Sequence, residues 1–300
     1  MNLVAPSNLV RALLGLALAV ATSSCAVHVV PDGTLRHVEG AAVAALDPTR
    51  VRVLVWNVYK ASLPGWWEDF APLVAEHDVA LLQEGWWTPD TEPRWAGVGF
   101  DWWMGVTFES PWSDSDPATG TVVGARAPLR AVVSRHSRYL EPVLGTPKSH
   151  CFGRVPLAGR DDELLVVSVH GINFRLGLTA FSDQLRLVMQ DAANHRGPAI
   201  VAGDFNTWSE ERTDALFVAM ERARFSSPYP RSASTAPPDG RTRSGDHYLD
   251  HAFVRGLDVT DATVLTTIES SDHQALSFAV RVPPEKRFTL DARGSLSSSR

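Results

Sequence analysis

Apolar residues fall along the chain in short runs separated by polar, glycine- and proline-rich stretches, and the spacing inside each run distinguishes strand from helix. Val51-Arg-Val-Leu-Val-Trp56 is β-branched and apolar, and predicts a strand buried on both faces. Asp78-Val-Ala-Leu-Leu82, Leu164-Leu-Val-Val-Ser-Val169 and Ala199-Ile-Val-Ala202 read the same way. Short strands are expected around 120–125, 129–134 and 150–157, and Tyr248 to Val254, Val259 to Ile268 and Leu276 to Val282 complete the set. Helical spacing marks 67–76, through Phe70, Leu73 and Val74, then 181–193, through Phe181, Leu185, Val188, Met189 and Ala192, and finally 215–222. Residues 88–118 and 226–246, dense in turn formers, read as long loops, and 25–50 as a linker or an irregular first element. The pattern predicts one α/β or α+β sandwich domain over 51–283, with a polar, frayed tail at 284–300 and no internal repeat.

The N-terminus carries a different pattern. Residues 12–21, ALLGLALAVA, follow Arg11 and precede TSSC at 22–25, which is the layout of an export signal. The run falls short of the roughly 20 apolar residues that span a bilayer. Residues 1–24 therefore read as a leader, cleaved or kept as a short anchor. Cys25 resembles a bacterial lipoprotein processing site, although Thr22 stands where such sites usually carry Leu. Lipidation at Cys25, ordinary cleavage nearby and a retained anchor all lead to an exported, cell-envelope protein, tethered to the membrane in the first and last cases.

Composition narrows the function. The 300 residues hold 28 Lys+Arg against 34 Asp+Glu, a formal charge of −6, which excludes the basic footprint of a protein that grips duplex DNA by its backbone. Two cysteines cannot build a disulfide framework or a zinc knuckle. The informative feature is what ends each buried strand. Asn57 follows Val55-Trp56, Glu84 follows Leu81-Leu82-Gln83, and His170 follows Val167-Ser168-Val169. Gly203 leads into Asp204-Phe205-Asn206, Asp250 opens a strand, and Ser271-Asp272-His273 precedes the last one. Polar side chains at the ends of rigid strands are where catalytic sites are built. Carboxylates and amides are hard oxygen ligands for Mg²⁺ or Mn²⁺, and imidazoles beside them handle protons near neutral pH.

The pieces LVWNVYK (54–60), LLQE (81–84), SVHGINF (168–174), AGDFN (202–206), YLDHAFV (248–254) and SDH (271–273) stand in one order along the chain. In that order they resemble the endonuclease/exonuclease/phosphatase (DNase I-like) superfamily, and within it the bacterial YafD-like branch. The resemblance covers about residues 50–282. It implies a four-layered α/β sandwich, two mixed sheets flanked by helices, with the active site at one end of the sheets. It further implies that Asn57, Glu84 and Asp272 hold a divalent metal, Mg²⁺ or Mn²⁺. Asp204 would stand beside the attacking water, Asn206 would hold water or phosphate, and Asp250 would orient His273. His170 would contact phosphate or protonate the leaving oxygen, and Lys148 would bind phosphate or simply be a solvated surface lysine.

The function expected is a metal-dependent phosphoesterase, a phosphodiesterase on nucleic acid in the first place. A phospholipid or sphingomyelin-type headgroup at the membrane is the alternative substrate, and a catalytically silent binding module on the same fold the alternative class. His251, following Asp250, is expected to face away from the catalytic side, because successive strand residues alternate. Asn173 reads as shaping the loop after His170. Trp66, Trp67, Trp102, Trp103 and Trp112 read as core filling beneath loops, with base stacking or a membrane interface as the other uses. Trp86 and Trp87, close after Glu84, are expected to wall the cleft.

Overall fold

In the computed structural model the described residues are 27–109, 117–142, 144–234, 236, 239–284, 288–290 and 296–298. The leader, Cys25 and Trp112 lie outside them. The chain runs through β1 (His28–Val29), β2 (Leu35–Val38), β3 (Val51–Asn57), α1 (Trp66–Ala75), β4 (Val79–Trp87), α2 (Glu92–Ala96), β5 (Asp101–Glu109) and β6 (Ala118–Ala125). It continues with β7 (Arg130–Leu140), β8 (Pro147–Pro156), β9 (Glu163–His170), α3 (Thr179–Ala193), β10 (Ala199–Asp204) and α4 (Glu210–Arg222). The last elements are β11 (Arg243–Ser244), β12 (His247–Tyr248), β13 (Asp250–Arg255), β14 (Asp258–Leu265), β15 (Ala275–Arg281), β16 (Phe288–Leu290) and β17 (Leu296–Ser298).

One sheet has the strand order β1-β5-β6-β4-β3-β15-β14, with β2 also on β5; the other runs β13-β10-β9-β8-β7. Both are mixed: β3–β4 and β9–β10 pair in parallel, and the remaining pairs are antiparallel. Side-chain alternation sorts the apolar residues into three cores. Val53, Val55, Leu81, Val166, Ile200, Ala252 and Leu276 meet between the sheets. Leu54, Trp56 and Leu82 turn outward onto Phe70 and Val74 of α1 and onto Trp95. Leu165, Val167 and Val201 turn outward onto Phe181 and Leu185 of α3 and Leu216 of α4. The layers are thus helix, sheet, sheet, helix, the four-layered sandwich the motifs implied. Among the described residues no helix is long and apolar enough to cross a membrane.

The expected elements are present with shifted ends, and three stretches differ. Residues 25–50, read as a linker, supply β1 and β2, which lengthen the first sheet along β5. Residues 88–118, read as a loop, contain α2 and the nine-residue β5. The period-2 apolar row Trp102, Met104, Val106 was there to read, all three buried in the outer core. Surrounding Pro, Gly and Asp residues masked it. The tail at 284–300, read as frayed, includes the paired strands β16 and β17.

The tryptophans are mainly core. Trp66 stacks on Phe70, and Trp95 meets Trp102 edge-on. Trp67 and Trp103 are half-buried. Trp87 is no wall of a cleft: it is fully buried against Trp95 on the outer side of the sheet, while Trp86 is half-buried.

Candidate active site

The site is the polar end of the core between the sheets. Residues that continue the inward-facing rows beyond the last apolar side chain are Asn57 after Val53 and Val55, Gln83 after Leu81, and Ser168 and His170 after Val166. Asp204 follows Ile200 and Ala202 in the same way, and Asp250 leads the row Ala252, Val254. Period 2 thus delivers six polar side chains to one place from five strands. Glu84 breaks this parity through a bulge. Leu82 pairs with Val122 and Gly85 with Gly120, so Gln83 and Glu84 together oppose a single residue, and Glu84 adopts φ 55°. Gly203 has φ 147°, and a Cβ there would lie 2.0 Å from the Val169 carbonyl oxygen and 2.8 Å from Gln83 Nε2, so only glycine lets the strand end carrying Asp204 lie this close.

Asp204 sits at the centre, buried. Its Oδ1 accepts the Asn206 N–H at 2.8 Å, and its Oδ2 accepts from Asn57 Nδ2 at 3.1 Å. His170 Nε2 lies 3.5 Å from that Oδ2 and His273 Nε2 3.8 Å. Asp250 Oδ2 holds His273 Nδ1 at 2.8 Å, which makes Nδ1 a donor and aims Nε2 at Asp204. The loop bearing His273 is tied to β3 twice: Trp56 Nε1 donates to the His273 carbonyl and Ser271 Oγ to the Asn57 carbonyl. Asn206, at φ 52°, donates its amide to the Gly171 carbonyl at 3.0 Å and so links two of the loops.

Glu84 forms the other half of the site. Its Oε2 pairs with the Lys60 ammonium, while its Oε1 lies 3.9 Å from both Lys148 Nζ and His170 Nε2. Lys148 is not a solvated surface lysine. It is 16% exposed and also stands 3.5 Å from the buried Glu141. Asp272 is exposed at the rim, and His251 faces away, as alternation requires, against Phe217 and Phe253.

Burial alone would push Glu84 up, but Lys60, Lys148 and His170 hold it well below the usual carboxylate range. Burial pushes Asp204 up; His273 opposes this and Asp250 adds to it. Burial lowers His170, and Lys148 lowers it further, so it is neutral. Burial would also lower His273, but Asp250 and Asp204 on either side outweigh it and raise the imidazole above its ordinary value. The site therefore pairs an ionised Glu84 with a protonated His273 flanked by two acids.

Three contributors had no role assigned from sequence. Lys60 stands in the motif LVWNVYK, but its approach to Glu84 depends on a left-handed turn, with Tyr59, Lys60 and Ala61 at φ 48°, 55° and 52°. Glu141 comes from the β7–β8 turn and accepts the Asn173 N–H as well as facing Lys148. Arg212 of α4 is buried. Its guanidinium donates to the carbonyls of Ile172, Asn206 and Arg175 and lies 4.4 Å from the centre of the Trp208 ring. Among the described residues nine non-glycines have positive φ, and six of them (Tyr59, Lys60, Ala61, Glu84, Phe174 and Asn206) lie at this end of the sheets. Backbone strain concentrated in this way accompanies functional sites.

Arg212→Met is expected to destabilise the protein by about 3 kcal/mol, because two buried carbonyls and a part-buried one lose their donor. Thermal unfolding checks this, and an unchanged midpoint would contradict it. His251 carries a pH dependence. Burial, then Arg241, push it down to about 3, and its Nδ1 has no acceptor for a second proton. In the unfolded chain the same ring takes up a proton near about 6.5. Between those values the unfolded state binds more protons, so stability is complete above the upper value and falls as the pH drops, by about 1.4 kcal/mol per unit. In His251→Asn the pH slope of the urea midpoint should shrink by one proton; an unaltered slope would refute the assignment.

The chain is similar to known proteins over most of its length. A UPF0294 protein of Vibrio vulnificus (strain YJ016) is 34% identical over 251 residues, covering 83% of each chain. A UPF0294 protein of Yersinia pestis is 35% identical over 227 residues, 75% of this chain and 82% of its own. Among solved structures, the endonuclease/exonuclease/phosphatase of Beutenbergia cavernae superposes with TM-score 0.62 at 21% identity, over 82% of this chain and 76% of that one. The human Nocturnin catalytic domain, with bound sulfate, superposes with TM-score 0.58 at 20% identity, over 80% and 97%. The profile of the Endonuclease/Exonuclease/phosphatase family matches residues 54–273, the segment that runs from β3 through every strand-end residue described above to His273, and the chain belongs to that family.

Proposed function

We propose that the protein is a divalent-metal-dependent hydrolase of phosphate diesters. The observation that carries this reading is Asp204, buried between His170, the Asp250–His273 pair and Asn57, with Glu84 ionised close by. The donor set suits a hard cation, being rich in oxygen and negative. Asp204, Asp250 and His273 offer ligand atoms within 4.8 Å of one another. There, however, His273 Nδ1 is engaged by Asp250, and a protonated imidazole cannot ligate. The better seat is Glu84 with Asn57 and Asp272, the last an exposed carboxyl at the rim of the site. A cation bound there would supply charge neutralisation at the phosphoryl oxygens and lower the pKa of water.

The protein's own groups carry the remaining roles. Asp204 accepts the proton of the attacking water, a task suited to a carboxylate whose pKa is raised. The new P–O bond forms as the leaving P–O bond breaks, and the leaving oxygen takes a proton from solvent water. His273, protonated and fixed by Asp250, stabilises the developing negative charge. Neutral His170 and the Lys148 ammonium donate to the nonbridging oxygens. A silent binding module would have no use for two acids, Glu84 and Asp204, both held against His170.

The test is hydrolysis of bis-p-nitrophenyl phosphate by the purified full chain. Turnover with Mg²⁺ or Mn²⁺ that EDTA abolishes is the expected result. Turnover indifferent to EDTA would remove the metal from the proposal, and a folded chain inert with every divalent cation would remove the hydrolase.

A further inference from the structure

We infer that the catalytic end of the two sheets is a bilayer-docking face, so that the phosphodiester it hydrolyses is held in a lipid headgroup layer; this rests on the hydrolase reading above and names its substrate class. Eight large apolar side chains are exposed among the described residues, and six of them (Val29, Tyr59, Leu140, Leu144, Phe174 and Leu176) lie at this one end. Leu140 and Leu144 flank the β7–β8 turn beside Lys148, and Phe174 and Leu176 lie on the loop that follows His170. Leu176 is 92% exposed, and half-exposed Phe174 is held at φ 54°. A loop selected only for folding would not hold a phenylalanine in a left-handed conformation and a leucine in water. An apolar rim around a polar site marks an interaction surface.

Two further observations select a membrane as the occupant. The first is where the chain enters the fold. His28 pairs with Glu109, Glu109 with Ala118, and Ala118 with Trp87, so β1 begins at the end of the sheet to which β4 carries Glu84. Cys25 precedes His28 by three residues, a reach of about 10 Å even when extended. An acyl group on Cys25, or an uncleaved leader, would therefore hold this end of the molecule against the bilayer. The second is charge. Arg138, exposed, and Arg175, half-buried, stand beside Leu140 and Leu176, an apolar tip with cations behind it that matches a bilayer's acyl and phosphate layers. Arg175 is fixed there through the Leu140 carbonyl and the Tyr139 ring. A nucleic-acid track would instead need free cations, and Lys60 and Lys148 are paired with Glu84 and Glu141.

The experiment inserts the full chain into vesicles of phosphatidylcholine and phosphatidylglycerol, with an NBD fluorophore on Leu176→Cys or on Asp161→Cys. Asp161 is exposed on the β8–β9 turn at the opposite end of the second sheet. Docking predicts a blue shift and enhancement at 176, relative to the labelled parent chain, and none at 161. A probe at 176 that remains aqueous on vesicles, or that responds only to single-stranded DNA, overturns the proposal. A Leu144→Ser, Leu176→Ser double variant should lose about tenfold in turnover of a vesicle phospholipid, since two apolar anchors are removed, and keep its turnover of bis-p-nitrophenyl phosphate. Equal turnover of vesicle phospholipid by parent and double variant also overturns it. If the parent leaves bis-p-nitrophenyl phosphate untouched, the hydrolase reading fails by itself, and docking is still decided by the two fluorophores.

Discussion

Asp204→Asn should lower phosphodiester turnover roughly 10³–10⁴-fold, the loss that accompanies removal of a positioned general base. The substitution is nearly isosteric, and the side-chain oxygen still accepts the Asn206 N–H. Stability should hold or rise. Folding raises the pKa of Asp204, so the ionised carboxylate burdens the folded state at neutral pH: its contribution is complete below the unfolded value and is lost as pH rises through the folded one. A neutral amide removes that burden together with the repulsion from Asp250, and in exchange gives up the attraction to protonated His273 and the acceptor for Asn57 Nδ2. The check is kcat alongside a thermal midpoint. Lost turnover with an unchanged or higher midpoint assigns the base, whereas turnover within tenfold of the parent would move that role to another group.

Glu84→Gln should weaken Mn²⁺ binding by about two orders of magnitude and turnover by roughly 10³-fold, several kcal/mol of charge stabilisation. The carboxylate has two partners to lose besides the metal. Lys60 and Lys148 converge on it from opposite oxygens, and the amide would leave both ammonium groups facing an uncharged side chain. Calorimetric titration with Mn²⁺ separates the two candidate seats. A large loss of affinity places the cation on Glu84. Unchanged affinity would place it on Asp204, Asp250 and His273 and require the geometry proposed here to be redrawn.

Much of this site was legible before any tertiary structure. Asn57, Glu84, His170, Asp204 and Asp250 each stand at the end of an apolar run, and His273 sits just ahead of one. A hydrophobic strand that stops at a polar residue reports locally that the core stops there. Period 2 was also enough to turn His251 away from Asp250. Strand and helix types follow from the same local physics, since β-branched runs suit a pleated surface and 3.6-residue spacing suits a face of a helix.

Other features depended on partners distant in the chain. Lys148 could be read equally well as a surface side chain, because its exposure is set by Glu141 and Glu84, 7 and 64 positions away. Arg212 looks like an ordinary helix cation until the carbonyls of Ile172, Asn206 and Arg175 close around it. Trp87 is core rather than cleft because a bulge at Gln83–Glu84 resets the facing of everything after it, and a bulge exists only relative to the opposing strand.

The sequence by itself determined most of the buried strands, the helices α1, α3 and α4, and which polar side chains end the strands, because alternation and strand ends are local properties of the chain. Tertiary structure alone decided which charges meet, which lysine is buried, and that β1 and the apolar rim share one end of the molecule. Distance and burial are set jointly by segments far apart in the chain, and no single segment encodes them.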